Sequence, residues 1–366
     1  MKFIINKELF LEKLTLASHF TSTKLTSSLT LQGVLLKGTK NSLHFYSSNL
    51  SSYLHTSLKV ELEKEIEVVI EPKKLSEYIN FLPPGKLEIE VKEKQITIVS
   101  GKTKGNFPLI AKEDFPLPPK IEEKGQTIKT DFLLKNLPIV LFSASYDETR
   151  PVLTGVNFLT QENLIIVSTD GFRLSLVKAK KEIDIPSVII PADFLSEVLQ
   201  FIKEEKEVKF CYLKNEKMIV FSLDNAEFFS RLIEGDFPPF EKVIPTERRT
   251  TVTIEAEEFL RNIKLISVFA RDFSNIVIVQ MVKDGIWIKP KTDAGDENNA
   301  FQEAEIDGDE QKVAFNYKFL LDFLNHSKSK KIIIEVLRPD APVVFKTEDG
   351  EHFLHIIMPV RIAVPS

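Results

Sequence analysis

A chain of 366 residues with 43% hydrophobic content is long enough for two or three domains, each with its own apolar core. One cysteine, Cys211, excludes an internal disulfide framework and any cysteine-based zinc site. A formal net charge of -5 argues against a generically basic nucleic-acid binder, so any DNA contact must draw on positive charge gathered on one face.

In chain order, Met1-Lys2-Phe3-Ile4-Ile5 reads as a short strand interrupted by Asn6-Lys7-Glu8. No signal peptide is expected there, no later run is apolar enough to span a bilayer, and the expected location is the cytoplasm. A helix follows, with Ile5, Leu11 and Leu14 at strand-end and helical spacing and Phe10 between them. Pro72-Lys73-Lys74-Leu75-Ser76-Glu77-Tyr78-Ile79 predicts a second helix, and Leu87-Glu88-Ile89-Glu90-Val91 alternates as a strand. Gly101-Lys102-Thr103-Lys104-Gly105 lacks phosphate-loop spacing and reads as a hairpin turn. The exit is Asp114-Phe115-Pro116, followed by a proline-rich and charged linker to Gly125.

The same signals then return twice. Ile128, Leu134 and Leu137, then Ile254, Leu260 and Ile263, repeat the first spacing, with Leu133 and Phe259 in the place of Phe10. Second helices are predicted from Pro191-Ala192-Asp193-Phe194 and from Asn316-Tyr317-Lys318-Phe319, and Asp236-Phe237-Pro238 repeats the exit. A period of roughly 120 residues is a whole-domain repeat and not a solenoid, dividing the chain into 1–125, 126–250 and 251–366, with a second linker over 245–250. Each unit carries two helices and about eight strands, an α+β pattern.

Residues for catalysis are missing from the pattern. His352 and His355 lie three apart in a strand, so they point to opposite faces and share no metal. Asp293-Ala294-Gly295-Asp296-Glu297-Asn298-Asn299 lacks the glycine and final glutamate of a calcium loop. No serine stands in a nucleophile elbow, so no catalytic residue, cofactor or metal is expected.

Four stretches stand out together: Ser145-Tyr146-Asp147-Glu148-Thr149-Arg150-Pro151-Val152-Leu153-Thr154-Gly155-Val156, Ser168-Thr169-Asp170-Gly171-Phe172-Arg173-Leu174-Ser175-Leu176, Glu234 to Pro245 around Phe237-Pro238-Pro239-Phe240, and His355-Ile356-Ile357-Met358-Pro359-Val360-Arg361-Ile362. With the threefold period, they resemble the bacterial sliding clamps, the β subunit of DNA polymerase III, over essentially the full chain. The resemblance implies three structurally repeated clamp domains, each two helices packed on two antiparallel sheets, and a homodimer closed head to tail into a ring. It implies a processivity factor that encloses duplex DNA without reading sequence. Its implied partners are the catalytic subunit of the replicative polymerase, the clamp loader, and other polymerases and repair proteins that dock through short linear peptides.

The resemblance also places a peptide groove between the second and third units, at Arg150, Leu153, Thr169, Gly171, Phe172, Arg173, Leu174, Pro238, Lys242, Val243, Asn316, Phe319, Ile356, Met358, Pro359, Val360 and Arg361. Apolar members would form a pocket, and arginine and exposed backbone would hold a peptide's polar groups. On residue type alone, Leu153, Leu174, Val243 and Ile356 read as core. The helices supply candidate pore charges at Lys7, Lys13, Lys73, Lys74, Lys135, Lys203, Lys206, Arg261, Lys264 and Lys318, and Lys24 matches a DNA-contacting position of the family. Glu12, Glu77, Glu197, Glu204 and Asp322 share those helices, so some of these cations also read as surface ion pairs. The first unit has no arginine, and Ala363-Val364-Pro365-Ser366 extends past the usual family end. A repeated-domain scaffold that binds proteins without enclosing DNA is the alternative reading.

Overall fold

The structure, a computed structural model, describes residues 1–24, 28–181, 186–272, 274–291, 298–348 and 352–361. The first repeat runs β1 (Lys2–Asn6), α1 (Lys7–Ser18), β2 (Val34–Thr39), β3 (Ser42–Ser48), β4 (Ser52–Lys59), β5 (Ile66–Ile70), α2 (Pro72–Phe81), β6 (Lys86–Val91), β7 (Gln95–Ser100) and β8 (Thr103–Ile110). The second runs β9 (Gln126–Lys129), α3 (Thr130–Asn136), α4 (Pro138–Leu141), β10 (Gly155–Thr160), β11 (Leu164–Thr169), β12 (Arg173–Ala179), β13 (Val188–Pro191), α5 (Ala192–Phe201), β14 (Glu207–Leu213), β15 (Met218–Ser222) and β16 (Ala226–Arg231). The third runs β17 (Thr250–Glu255), α6 (Ala256–Ala270), β18 (Ile276–Val282), β19 (Gly285–Pro290), β20 (Ala300–Glu303), β21 (Glu305–Gly308), β22 (Gln311–Asn316), α7 (Tyr317–Ser327), β23 (Lys331–Val336), β24 (Val343–Thr347) and β25 (Phe353–Ile357).

Equivalent positions of the repeat share one physical fate. Ile5, Ile128 and Ile254 are buried, as are Phe10, Leu133 and Phe259, and again Leu14, Leu137 and Ile263. Leu11, Leu134 and Leu260 are all half-buried. Helix starts are fixed locally. The Asn6 side chain accepts the Leu9 N–H at 2.8 Å, and Glu71 accepts those of Lys73 and Lys74 at 3.0 Å each, ahead of Pro72 at the first helical position. The first helix of the second repeat is interrupted, because Pro138 has no N–H to continue the ladder, and the chain restarts as α4. The turn between β7 and β8 is the expected hairpin, with Ser100 paired to Thr103 and Gly101 at φ +59°.

The sheets continue from one repeat into the next. Among the described residues there is a twelve-stranded sheet in the order β1-β6-β7-β8-β5-β2-β3-β4-β16-β15-β14-β9, a nine-stranded sheet β13-β10-β11-β12-β25-β24-β23-β17-β21, and a four-stranded sheet β20-β19-β18-β22. First and second repeats join where β4 pairs antiparallel with β16, and second and third where β12 pairs antiparallel with β25.

Two compact units follow from this pairing: Met1–Thr130 with Glu197–Leu232, and Asp131–Ser196 with Ile233–Ser366. The first contains the twelve-stranded sheet, with Phe10, Leu14, Phe45 and Leu54 among its fully buried side chains. The second contains the other two sheets, with a core that includes Phe259, Phe315, Phe323, Phe345 and Phe353. No helix of the described residues is long and apolar enough to cross a membrane.

Candidate functional site

Within the second unit, the turn from β11 to β12 is built by its own side chains. Asp170 Oδ1 accepts the N–H groups of Phe172 (2.9 Å) and Arg173 (3.0 Å), and Thr169 Oγ1 accepts from Gly171 N (3.0 Å) while donating to the Arg173 carbonyl (2.6 Å). Position 171 sits at φ +93°, the left-handed region that favours glycine. The turn leaves Phe172 59% exposed and leads into Leu174, which is buried and pairs with Ile356 of β25.

That pairing brings the third repeat alongside. After β25, Met358 N donates to the Phe172 carbonyl at 2.8 Å, and Val360 N then donates to Ala314 O at 2.8 Å. A short 3-10 turn over Phe240–Val243 closes the other side. The result is an open cavity of about 150 Å³. Its lining includes Leu153, Thr169, Gly171, Phe172, Arg173, Leu174, Pro238, Val243, Ile356 and Met358, all of them expected groove residues. Pro239 and Phe240 also line it and were not expected. They adjoin Pro238 in sequence, but only the 3-10 geometry decides which members of that run face the cavity. Leu174, Phe240 and Ile356 belong at once to a buried cluster with Val167 and Val344, so core and pocket wall are the same side chains here. Val243 departs from a core role, at 41% exposed.

Other expected groove residues lie outside the lining. Arg150 stands at the rim, within reach of Gly171, and pairs with Asp147 at 3.3 Å. Lys242 and Arg361 are exposed, and Pro359 and Val360 follow Met358 half-buried. Asn316 caps α7, accepting from Lys318 N at 3.1 Å. Phe319 lies 4.7 Å beneath the Arg173 guanidinium. Arg173, which lines the cavity as expected, is also committed within the protein. It is 7% exposed, and its nitrogens bond Asp170 Oδ2 (3.0 Å) and Asp322 Oδ2 (2.5 Å), so it braces the turn that forms the cavity wall.

Behind the cavity, the fully buried His355 ring stacks on Phe323 at 5.1 Å, and its Nδ1 lies 2.8 Å from Ser175 Oγ. Burial, then the neighbouring Arg173 charge, holds its pKa well below the ordinary histidine value. Among the described residues no group of three or more His, Cys, Asp or Glu is placed to hold a metal ion. The Asp293 to Glu297 part of the acidic loop and the tail Ala363 to Ser366 lie outside the described residues.

Of the expected DNA-contact residues, Lys24, Lys73, Lys74, Lys135, Lys203, Lys206, Arg261 and Lys264 are exposed, as is Lys318. Lys203 and Lys206 stand in the turn after α5 and not on the helix. Arg261 pairs with Glu258 at 3.1 Å. Lys13 does not fit the expectation. Its side chain is 7% exposed and pairs with Glu12 at 2.8 Å, because it falls three residues after Phe10, on the inward face of α1. Lys7 is buried too, donating to the Asn80 carbonyl (3.2 Å) and the Leu82 carbonyl at the end of α2.

Residues 1–119, 127–239 and 241–361 match the sequence profiles of the N-terminal, central and C-terminal domains of the DNA polymerase III beta subunit. The chain is 30% identical to the beta sliding clamp of Bacillus subtilis, over 99% of this chain and 100% of that protein. The crystal structure of a DNA polymerase sliding clamp from Bacillus subtilis superposes with a TM-score of 0.91 at 28% identity, covering 99% of both chains. That of the DNA polymerase III beta chain of Streptococcus pneumoniae gives 0.90 at 26% identity, covering 99% of this chain and 100% of the other.

Proposed function

This chain belongs to the DNA polymerase III beta subunit family of sliding clamps, with their three-domain α+β fold, and we propose that it closes as a head-to-tail homodimer around duplex DNA. Its role is processivity, a non-catalytic one, exercised in the cytoplasm on replicating DNA. Residues 1–125, 126–250 and 251–366 act as the three clamp domains. The observation that carries this reading is that the likeness runs from one end of the chain to the other.

Strand edges support the ring. Strand β8 pairs with β7 along its length but with β5 only at Leu109 and Ile110, while β20 and β21 each end a sheet. Such edges are templates for pairing with another chain. Leu265, Val268 and Phe269 of α6 are exposed apolar side chains of the kind an interface covers. Exposed cations, among them Lys24, Lys73 and Lys74 in the first unit, supply phosphate contacts that read no bases.

The cavity beside Phe172 and Met358 takes the apolar side chains of short linear peptides from the replicative polymerase, the clamp loader and repair proteins. Its apolar lining with few polar groups is suited to that use.

Topology gives the deciding experiment. Protein loaded by an ATP-driven loader should stay on nicked circular DNA in gel filtration and leave once the circle is cut, since a ring slides off an end. Equal retention on circle and linear DNA, or none on either, establishes the scaffold reading instead.

A further inference from the structure

The wall of the cavity at Gly171 and Phe172 comes from the second repeat, and the side chain that ties it to the third is Arg173. Its guanidinium lies over the Phe319 ring at 4.7 Å and near Phe142 at 5.7 Å, with Nε on Asp170 and Nη1 on Asp322. A guanidinium this buried requires full charge compensation, since desolvation is costly for an ion left short of partners. Asp170 supplies part of that compensation, but its other oxygen is already committed to the Phe172 and Arg173 amides. Asp322 supplies the rest from a separate element. Phe319, Asp322 and His326 fall at i, i+3 and i+7 on one face of α7. His326 Nδ1 donates to the Asp322 carbonyl (2.7 Å), and its ring stacks on Phe142 at 4.7 Å. One helix face thus meets Arg173 through Phe319 and Asp322, while His326 backs the Phe142 ring beside the guanidinium, and Arg173 in turn fixes the turn whose Phe172 carbonyl receives Met358 N.

We infer that Asp322 is a positioning residue for the peptide cavity, acting through Arg173 to hold the Gly171–Phe172 wall in register with Met358. The inference rests on the peptide-groove reading. Asp322 does not line the cavity and its side chain is 42% exposed, so its influence on a docked peptide is indirect. Neutralising it leaves Arg173 partly uncompensated and frees the turn to shift. The ordering of the cavity wall, which a peptide would otherwise have to restore on binding, is then lost.

The test uses the full-length protein and a fluorescent ten-residue peptide copied from the C-terminus of the same organism's replicative polymerase subunit. Asp322→Asn should weaken binding about tenfold, a coupling of the size one intermediary transmits, and should raise amide exchange at Phe172 and Met358. Asp322→Glu should recover most of the affinity. In an Arg173→Gln background, Asp322→Asn should add nothing, because the path runs through the guanidinium. If Asp322→Asn binds like wild type while Met358→Ala is impaired, or if its effect persists undiminished beside Arg173→Gln, the inference is overturned. Wild-type affinity in both Asp322→Asn and Met358→Ala overturns the groove reading beneath it. Should Asp322→Asn fold poorly, Asp322→Glu and Asp322→Ser carry the comparison, with exchange confined to residues 170–173 and 358 separating local loosening from general instability.

Discussion

The N–H of Met358 donates to the carbonyl oxygen of Phe172 at 2.8 Å, fastening the strand end of the third repeat to a turn of the second. Both residues line the same cavity, so this bond registers two walls that are far apart in sequence.

Met358→Ala should therefore weaken a polymerase C-terminal peptide by about a kilocalorie or more, roughly fivefold to tenfold, with little change in melting temperature, because Met358 is only half-buried. Adding Leu174→Ala should weaken binding further and also lower stability by about 2–5 kcal/mol, since Leu174 belongs to the buried cluster behind the cavity. Fluorescence anisotropy and thermal denaturation measure the two effects separately. Wild-type affinity in the double variant removes the peptide from this cavity.

Replacing the exposed Lys24, Lys73 and Lys74 by glutamate should shorten residence on DNA and make its loss with salt shallower, because fewer phosphate contacts release fewer counterions, while peptide affinity stays unchanged. Lys13→Glu should behave differently. The residue is buried against α1's own packing face, so its expected signature is a lower melting temperature. Normal loading by the triple glutamate variant at low and moderate salt rules those side chains out as phosphate contacts.

His355 predicts a pH dependence of stability with a definite sign. The folded protein holds the ring neutral, with a pKa well below the value near 6.5 of an exposed histidine. Above that value neither state binds the proton and His355 contributes no slope. As pH falls below about 6.5 the unfolded chain takes up the proton first, so stability drops by at most about 1.4 kcal/mol per pH unit until the folded pKa is reached. Urea denaturation of wild type and His355→Asn between pH 7.5 and 5.5 should show the shallower slope in the variant. Parallel slopes dismiss His355 as the source.

Charge is unevenly divided: residues 1–125 carry 18 Lys against 15 Asp and Glu, whereas residues 251–366 carry 14 Lys and Arg against 19 Asp and Glu. The proposed head-to-tail ring would set the basic end of one copy against the acidic end of the other, so the association rate of the dimer should fall as salt rises and the Debye length shrinks to about 3 Å near 1 M. A rate that stays flat across that range assigns closure to the apolar contacts alone.

Local chemistry made much of this protein legible in advance. The repeated Ile, Leu and Phe spacings located the buried face of each first helix, Gly101-Lys102-Thr103-Lys104-Gly105 marked a hairpin turn, and the four family stretches named ten of the residues that meet in the cavity. Even the burial of Lys13 was implicit in its distance from Phe10, although its charge argued for the surface. Strand pairing decided the rest. The sheets join β4 to β16 and β12 to β25 across repeats, and Arg173 meets Asp322 over a separation of 149 residues. Propensity, capping and φ act between neighbours along the chain. The partner of a buried guanidinium is set by the register of strands and helices that approach only when the whole domain packs.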